Sequence, residues 1–262
     1  MLANELTKKL KINYPIIQAP MAGGVTTSKL VAAVSNSGGL GFIGAGYMTP
    51  GQLREQIREI KAMTANIFGV NLFVPQSFHV SEDEVASAKQ ILEPIHKKLG
   101  NSLTNQTDLP RFDKQIETFN QQIKVIIEEK VPVCSFTFGI PSKEVVTELK
   151  QHHIFLIGTA TTVKEAKDVE YSGMDAVVLQ GSEAGGHRGN FSEESHEKSM
   201  VGLISLIPQA ADHVTIPVIA AGGIMDGRGL IASLFLGAKA VQMGTAFLTC
   251  MESGAHPIHK EK

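Results

Sequence analysis

"DAVVLQGSEAGGHRGN" (residues 175–190) sets an apolar run directly against a turn rich in glycine. The run does not alternate polar with apolar residues, so it reads as a strand buried on both faces. The turn carries Gln180, Glu183, His187 and Arg188. It is either a plain surface loop or the mouth of a site. The rest of the chain decides between the two.

The same unit recurs along the sequence. Apolar runs lie at 15–21, 40–46, 68–74, 131–139, 155–160, 175–181, 216–223 and 240–247. Segments of helical pattern separate them. "TSKLVAAVSNSG" starts at a Thr/Ser cap and stops at Gly38, and "DGRGLIASLFLGA" starts at Asp226 and stops near Gly237. "TPGQLREQIREIKAMT", "PSKEVVTELKQH" and "TVKEAKDVEYSG" follow the same grammar. Buried strands alternating with helices imply parallel pairing through helical crossovers. Eight such units in 262 residues match the size of a (β/α)8 barrel forming one domain, an α/β fold. An open doubly wound sheet ranks second, because no GxGxxG follows the first strand. In "GLGFIGAG" (39–46) the glycines fall inside the strand run at the wrong spacing.

One connection is long. Residues 75–130 hold two helical patterns, 81–100 and 111–130, joined by the turn "NSLTNQTDLP". One pattern serves as the crossover. The other is a helical insertion after strand three, either covering a pocket or decorating the surface.

Bulk composition excludes several classes. The chain is 43% hydrophobic and 19% charged, an ordinary globular mixture. A formal charge of -2 supplies no field for a phosphate backbone, so no nucleic-acid partner is expected. Cys134 and Cys250 are far apart and lack metal spacing, so no metal site or disulfide framework is expected. No apolar run is long enough to span a membrane, and the N-terminus lacks the marks of a signal peptide. These features lead to the expectation of a cytoplasmic protein.

In a (β/α)8 barrel the chemistry sits at the C-terminal ends of the strands. That rule sorts the nine histidines. His152, His153 and His213 precede strands and belong to the structural end. His256 and His259 lie in the tail, and His96 and His196 in polar, solvated segments. His79 and His187 follow strands, and only His187 sits among glycines that leave room for a ligand. A surface histidine bonded to its own loop is the plain alternative.

The loops after strands seven and eight are where such barrels often bind phosphate. Here they are "AGGIMDGRG" and "QMGT". Gly222 and Gly223 permit close backbone approach to an anion, and Gly244 and Thr245 add N–H groups and a hydroxyl. No GxxxxGK[ST] occurs, so this is no nucleotide-hydrolysing loop. Asn71, Gln180 and Gln242 end strands, where neutral amides can read the polar edge of a heterocycle. Together these point to a phosphorylated, ring-bearing cofactor such as FMN.

These stretches carry a resemblance. "PIIQAPMAGG" (15–24), "GVNLFVP" (69–75), "CSFTFGIP" (134–141), "QGSEAGGHRG" (180–189), "IPVIAAGGIMDGRG" (216–229) and "VQMGTAFL" (241–248) are similar, in this order, to the nitronate monooxygenase family, formerly 2-nitropropane dioxygenase. The likeness covers essentially the whole chain. It implies a TIM barrel that holds FMN without requiring NAD(P)H. It implies oxidation of alkyl nitronates, foremost propionate 3-nitronate, by O2 to an aldehyde and nitrite. By position the family's catalytic histidine is His187. The implied flavin contacts fall on Asn71, Gln180, Gly185, Gly222 and the run Gln242, Met243, Gly244 and Thr245. Ala19, Pro20 and Met21 are implied beside the flavin ring, with Gly223 next to them. A nitronate is already a carbanion equivalent. The protein must therefore supply an electron acceptor, access for oxygen and a group to hold the anionic nitro oxygens. A histidine can do the last, or act as a base toward a neutral nitroalkane.

Two other functions stay open. Flavin-dependent enoyl-acyl carrier protein reductases share "EAGGH" and "IPVIAAGGI" and use NAD(P)H, but after strand four they tend to a glycine- and asparagine-bearing turn where this chain has "SFTFGIP". A truncated FMN-binding protein with little turnover is the third. It draws on residues 248–262, which are too few and too polar for an eighth crossover helix and a lid. The resembled family continues there with a segment that closes over the flavin. The expectation is an incomplete C-terminus, a partly bare outer face on strand eight, and either self-association into a homo-oligomer through that seam or instability of the chain alone.

Overall fold

A computed structural model describes residues 2–78, 81–100, 111–192 and 199–261. His79, His196 and the 101–110 turn lie outside the described residues. The strands are β1 (Ile16–Gln18), β2 (Gly41–Gly44), β3 (Phe68–Phe73), β4 (Val133–Thr137), β5 (Phe155–Ala160), β6 (Ala176–Gln180), β7 (Val218–Ala221) and β8 (Ala240–Met243). All pair in parallel, in the order β1-β8-β7-β6-β5-β4-β3-β2. A parallel bridge between Ile17 and Leu40 closes the ring. Gln18 N–H donates to Leu40 O at 2.9 Å and Leu40 N–H to Ile16 O at 3.0 Å. The fold is a (β/α)8 barrel with helical insertions.

Two apolar layers explain the closure. Inside the ring, Ile17, Phe42, Val133, Ile157, Val178 and Ile219 form one cluster. Phe42 fills the space over Gly69, where an added Cβ would stand 2.3 Å from its ring. Truncating Phe42 to alanine would cost about 3–5 kcal/mol. The helix α1 (Glu5–Leu10) plugs the N-terminal end of the ring with Leu6 and Leu10, both fully buried. Its Asn4 cap donates through Nδ2 to Lys239 O at 2.7 Å, tying the plug to the start of β8. The sequence pattern did not indicate this helix. Its single turn and a half is too short for periodicity to register.

The outer layer is made by α2 (Ser28–Asn36), α3 (Pro50–Met63), α5 (Phe112–Glu128), α6 (Lys143–Gln151), α7 (Val163–Tyr171), α8 (Leu203–Ala211) and α9 (Gly227–Phe235). The long connection resolves cleanly. The helix α5 buries Phe119, Ile123 and Ile126 against α3 and β3, so it is the crossover. The helix α4 (Glu82–Lys98) buries no residue and is the insertion; it contributes nothing to the cavity described below. The helix α8 went unseen because Pro208 lies inside it and masks the helical pattern.

Strand eight is shorter than its apolar run. It ends at Met243, and α10 (Thr245–Leu248) follows after Gly244. A last turn, α11, covers Pro257–Lys260. The outward-facing Val241 is fully buried and Met243 is 9% exposed, so the strand face expected to be bare is covered. The exposed apolar surface lies one layer further out, at Ile231 and Phe235 of α9. Among the described residues no helix is long and apolar enough to cross a membrane.

Candidate active site

A cavity of about 860 Å³ opens at the C-terminal ends of the strands. That volume suits a cofactor with its substrate. His187 and every residue that the resemblance places at or beside the flavin line it. Ala19, Pro20 and Met21 come from the loop after β1, Asn71 from β3, and Gln180, Gly185 and His187 from β6 and its loop. Gly222 and Gly223 follow β7, Gln242 and Met243 end β8, and Gly244 and Thr245 follow it. Met225 and, unexpectedly, His259 of α11 complete the rim. The tail histidine could not be placed from sequence, because nothing local shows where α11 folds back.

The polar lining is held rigidly. Asn71 is buried, and its Nδ2 donates to Ser135 Oγ at 2.9 Å and Thr137 Oγ1 at 3.1 Å. Its carbonyl oxygen remains available to a ligand. Gln180 Nε2 donates to His187 O at 2.8 Å, while its Oε1 accepts from Gly189 N–H at 2.7 Å. The Gln180 amide thus spans the loop and keeps one hydrogen for a ligand. Gly222 and Gly223 have φ of 129° and 64°, conformations that favour glycine. A Cβ at Gly222 would approach Ala184 N to 3.1 Å.

His187 stands among three aromatic rings. Tyr47, Phe73 and Phe138 meet its imidazole edge-on, with centroids 6.2, 6.1 and 6.0 Å away. Tyr47 Oη lies 3.4 Å from His187 Nε2. Phe138 takes φ 68°, a left-handed conformation costly for a residue with a Cβ. Gln76 Nε2 holds it there by donating to Phe138 O at 2.6 Å. Sequence reasoning missed this aromatic wall. The signal that could have found it is the polar residues inside apolar strands, Asn71, Ser135 and Thr137, which mark the strand faces that look into the cavity.

The loop bearing His187 is anchored by charge. Arg188 donates through Nη1 to Gln180 O at 2.8 Å and Gly181 O at 2.9 Å, and through Nη2 to Ser199 O. Burial lowers its pKa, and Glu165 and Glu183 oppose that. Glu183 accepts from Leu203 N–H, the first residue of α8, with both carboxylate oxygens, at 2.9 and 3.0 Å. Cys134 lies fully buried, and desolvation pushes its thiol far up, so it is a core residue and no nucleophile. Among the described residues no group of three or more His, Cys, Asp or Glu could hold a metal ion.

Fold and site together define the class: a (β/α)8-barrel enzyme with a loop-built site at the C-terminal face. The family follows from comparison with known proteins. The family model for nitronate monooxygenase matches residues 3–262, and the chain belongs to that family. A probable nitronate monooxygenase from Staphylococcus haemolyticus is 52% identical over 261 residues, spanning 98% of this chain and 71% of that protein. One from Staphylococcus aureus strain Newman is 51% identical over 260 residues, with the same coverage of 98% and 71%. Among solved structures, a nitroalkane oxidase from Streptomyces ansochromogenes superposes with TM-score 0.89 at 41% identity, over 98% of this chain and 72% of its own. FabK from Thermotoga maritima reaches 0.75 at 36% identity, over 100% of this chain and 67% of its own.

Proposed function

We propose that the protein is an FMN-dependent monooxygenase that oxidises alkyl nitronates, propionate 3-nitronate foremost, with O2. The observation that carries this reading is His187, set among three aromatic rings at the mouth of a cavity that the glycine turns after β7 and β8 also line. The residues fit FMN. Gly222, Gly223, Gly244 and Thr245 offer backbone approach and a hydroxyl for a phosphate, at the loops where barrels of this kind bind one. The side chains of Gln242 and Thr245 line the cavity and make no hydrogen bond among the described residues. Asn71 and Gln242 would read the ring's polar edge. When bound, the flavin supplies the electron acceptor for the nitronate.

The chain's own residues do the rest. His187 holds the anionic nitro oxygens, or takes the α-proton when the substrate arrives as a neutral nitroalkane. Tyr47, Phe73 and Phe138 set an aromatic face against the imidazole, along which the substrate's alkyl chain would lie. Adding a preformed nitronate to FMN-loaded protein should release nitrite and consume O2. If loaded protein releases no nitrite, the reading fails. The stretches "EAGGH" and "IPVIAAGGI", similar to flavin-dependent enoyl-acyl carrier protein reductases, favour a second reading, reduction of an enoyl thioester by NAD(P)H. Oxidation of NAD(P)H that depends on a crotonyl thioester would select it.

A further inference from the structure

We propose that Glu165, on the outer helix α7, is the positioning residue that sets where His187 stands. This rests on the reading of His187 given above. Glu165 is fully buried, yet it lies outside the cavity lining. Its carboxylate is saturated by donors from two separate parts of the chain. Oε2 accepts from Thr161 N–H and Thr161 Oγ1, both at 2.7 Å, at the end of β5. Oε1 accepts from Phe191 N–H at 2.8 Å and Ser192 N–H at 2.9 Å, at the far end of the His187 loop. Burial alone would raise its pKa. The N–H groups of Phe191, Thr161 and Ser192 and the Thr161 hydroxyl outweigh that and hold it below the usual carboxylate range.

The arrangement fixes the loop at both ends. Gln180, Arg188 and Glu183 hold the near part to β6 and α8, and Glu165 holds the far end to β5. Between them, Gly185 and Gly186 have no atom within 4 Å of a Cβ position, so the tip itself is unsupported. His187 directly follows that unsupported pair. Its backbone position is therefore set by the anchors on either side, and the aromatic rings then meet its imidazole. Only a carboxylate can serve both donor pairs. A glutamine has one carbonyl oxygen; with that oxygen toward Phe191 and Ser192, its NH2 group meets the Thr161 N–H donor against donor, and only the Thr161 hydroxyl can accept from it.

Glu165→Gln, His187→Asn and the double variant, each loaded with FMN, test this. Glu165→Gln should lower kcat for a nitronate by about 10- to 100-fold, as misplacement of a reacting group does, with KM and the FMN Kd within about twofold. The double variant should be no slower than His187→Asn alone, because the glutamate acts only through the histidine. If the two losses multiply, Glu165 serves the fold in general and the proposal is overturned. If His187→Asn alone keeps parental turnover, the reading of His187 falls and takes this one with it. Should Glu165→Gln fail to fold, amide exchange in the parent protein decides. Slow exchange at Phe191 and Ser192 supports the anchor, and exchange at the rate of a free loop overturns it.

Discussion

Tyr47 Oη sits 3.4 Å from His187 Nε2, at the long end of hydrogen bonding, while the tyrosine ring packs edge-on to Phe73 with centroids 5.4 Å apart. The tyrosine therefore has two separable roles, a weak polar contact and an aromatic wall. Tyr47→Phe removes only the first. A bond this long and this exposed is worth about 0.5–1 kcal/mol, so kcat should fall by about two- to fivefold with the fold intact. A drop beyond a hundredfold would mean the hydroxyl does more than orient the ring.

His187→Asn tests the histidine directly. Nothing in the barrel core touches the side chain, so the variant should fold and retain FMN. Turnover of a nitronate should drop by about 10²-fold or more, as when a positioned acid–base group is lost. Equal activity in variant and parent rejects the assignment.

Gly46→Ala should damage the aromatic wall from behind. A Cβ there would lie 2.2 Å from the Phe73 ring, which must then move toward Tyr47, Phe138 and His187. The expected outcome is a thermal midpoint lowered by a few degrees and a larger proportional loss of kcat. Stability lost without any effect on turnover would show that Phe73 can yield without disturbing the histidine.

The cofactor should be FMN and not FAD, since the glycine turns after β7 and β8 are proposed to hold one phosphate and the sequence has no dinucleotide fingerprint after its first strand. Flavin released by heat should co-migrate with FMN on chromatography. Gly222→Ala should weaken its binding. It places a Cβ 3.1 Å from Ala184 N at a φ of 129° that disfavours any side chain. Recovery of FAD, or unchanged affinity in the alanine variant, contradicts this account of the site.

The barrel was legible because its strands are continuous apolar runs, and parallel burial leaves that mark. The lining of the candidate site was legible because glycine is required where backbone must turn sharply, as at Gly222 and Gly223. Contacts between remote segments were hidden. Nothing local marks Tyr47, Phe73 and Phe138 until the fold brings two loops and the end of β3 to His187. Glu165 reads as a solvated helix acid, since its partners Phe191 and Ser192 are 26 and 27 residues away. The return of His259 to the cavity rim depends on the Lys260 Nζ bonds to Cys250 O and Ser253 O, which no local pattern announces.

The last prediction concerns acid stability. Glu129, at the end of α5, is 8% exposed and takes hydrogen bonds from Arg54 at 3.1 Å and Arg58 at 2.9 Å, with Lys61 Nζ at 3.5 Å. Burial would raise its pKa, but the bonds from Arg58 and Arg54 and the charges of Arg58 and Lys61 bring it below the usual value. A carboxyl whose folded pKa lies below its unfolded one stabilises the fold. That contribution is complete above the unfolded value of about 4.3 and is lost as pH falls through the folded value. Glu129→Gln should therefore lower the urea midpoint at pH 7. The equivalent loss should be about 1 kcal/mol, limited because the three cations face water. The gap between parent and variant should close as the pH is brought from 5 toward about 3, because the parent's glutamate then takes up its proton. Urea melts across that range make the check. A gap that stays constant down to pH 3 would mean that Glu129 contributes through its shape and not its charge.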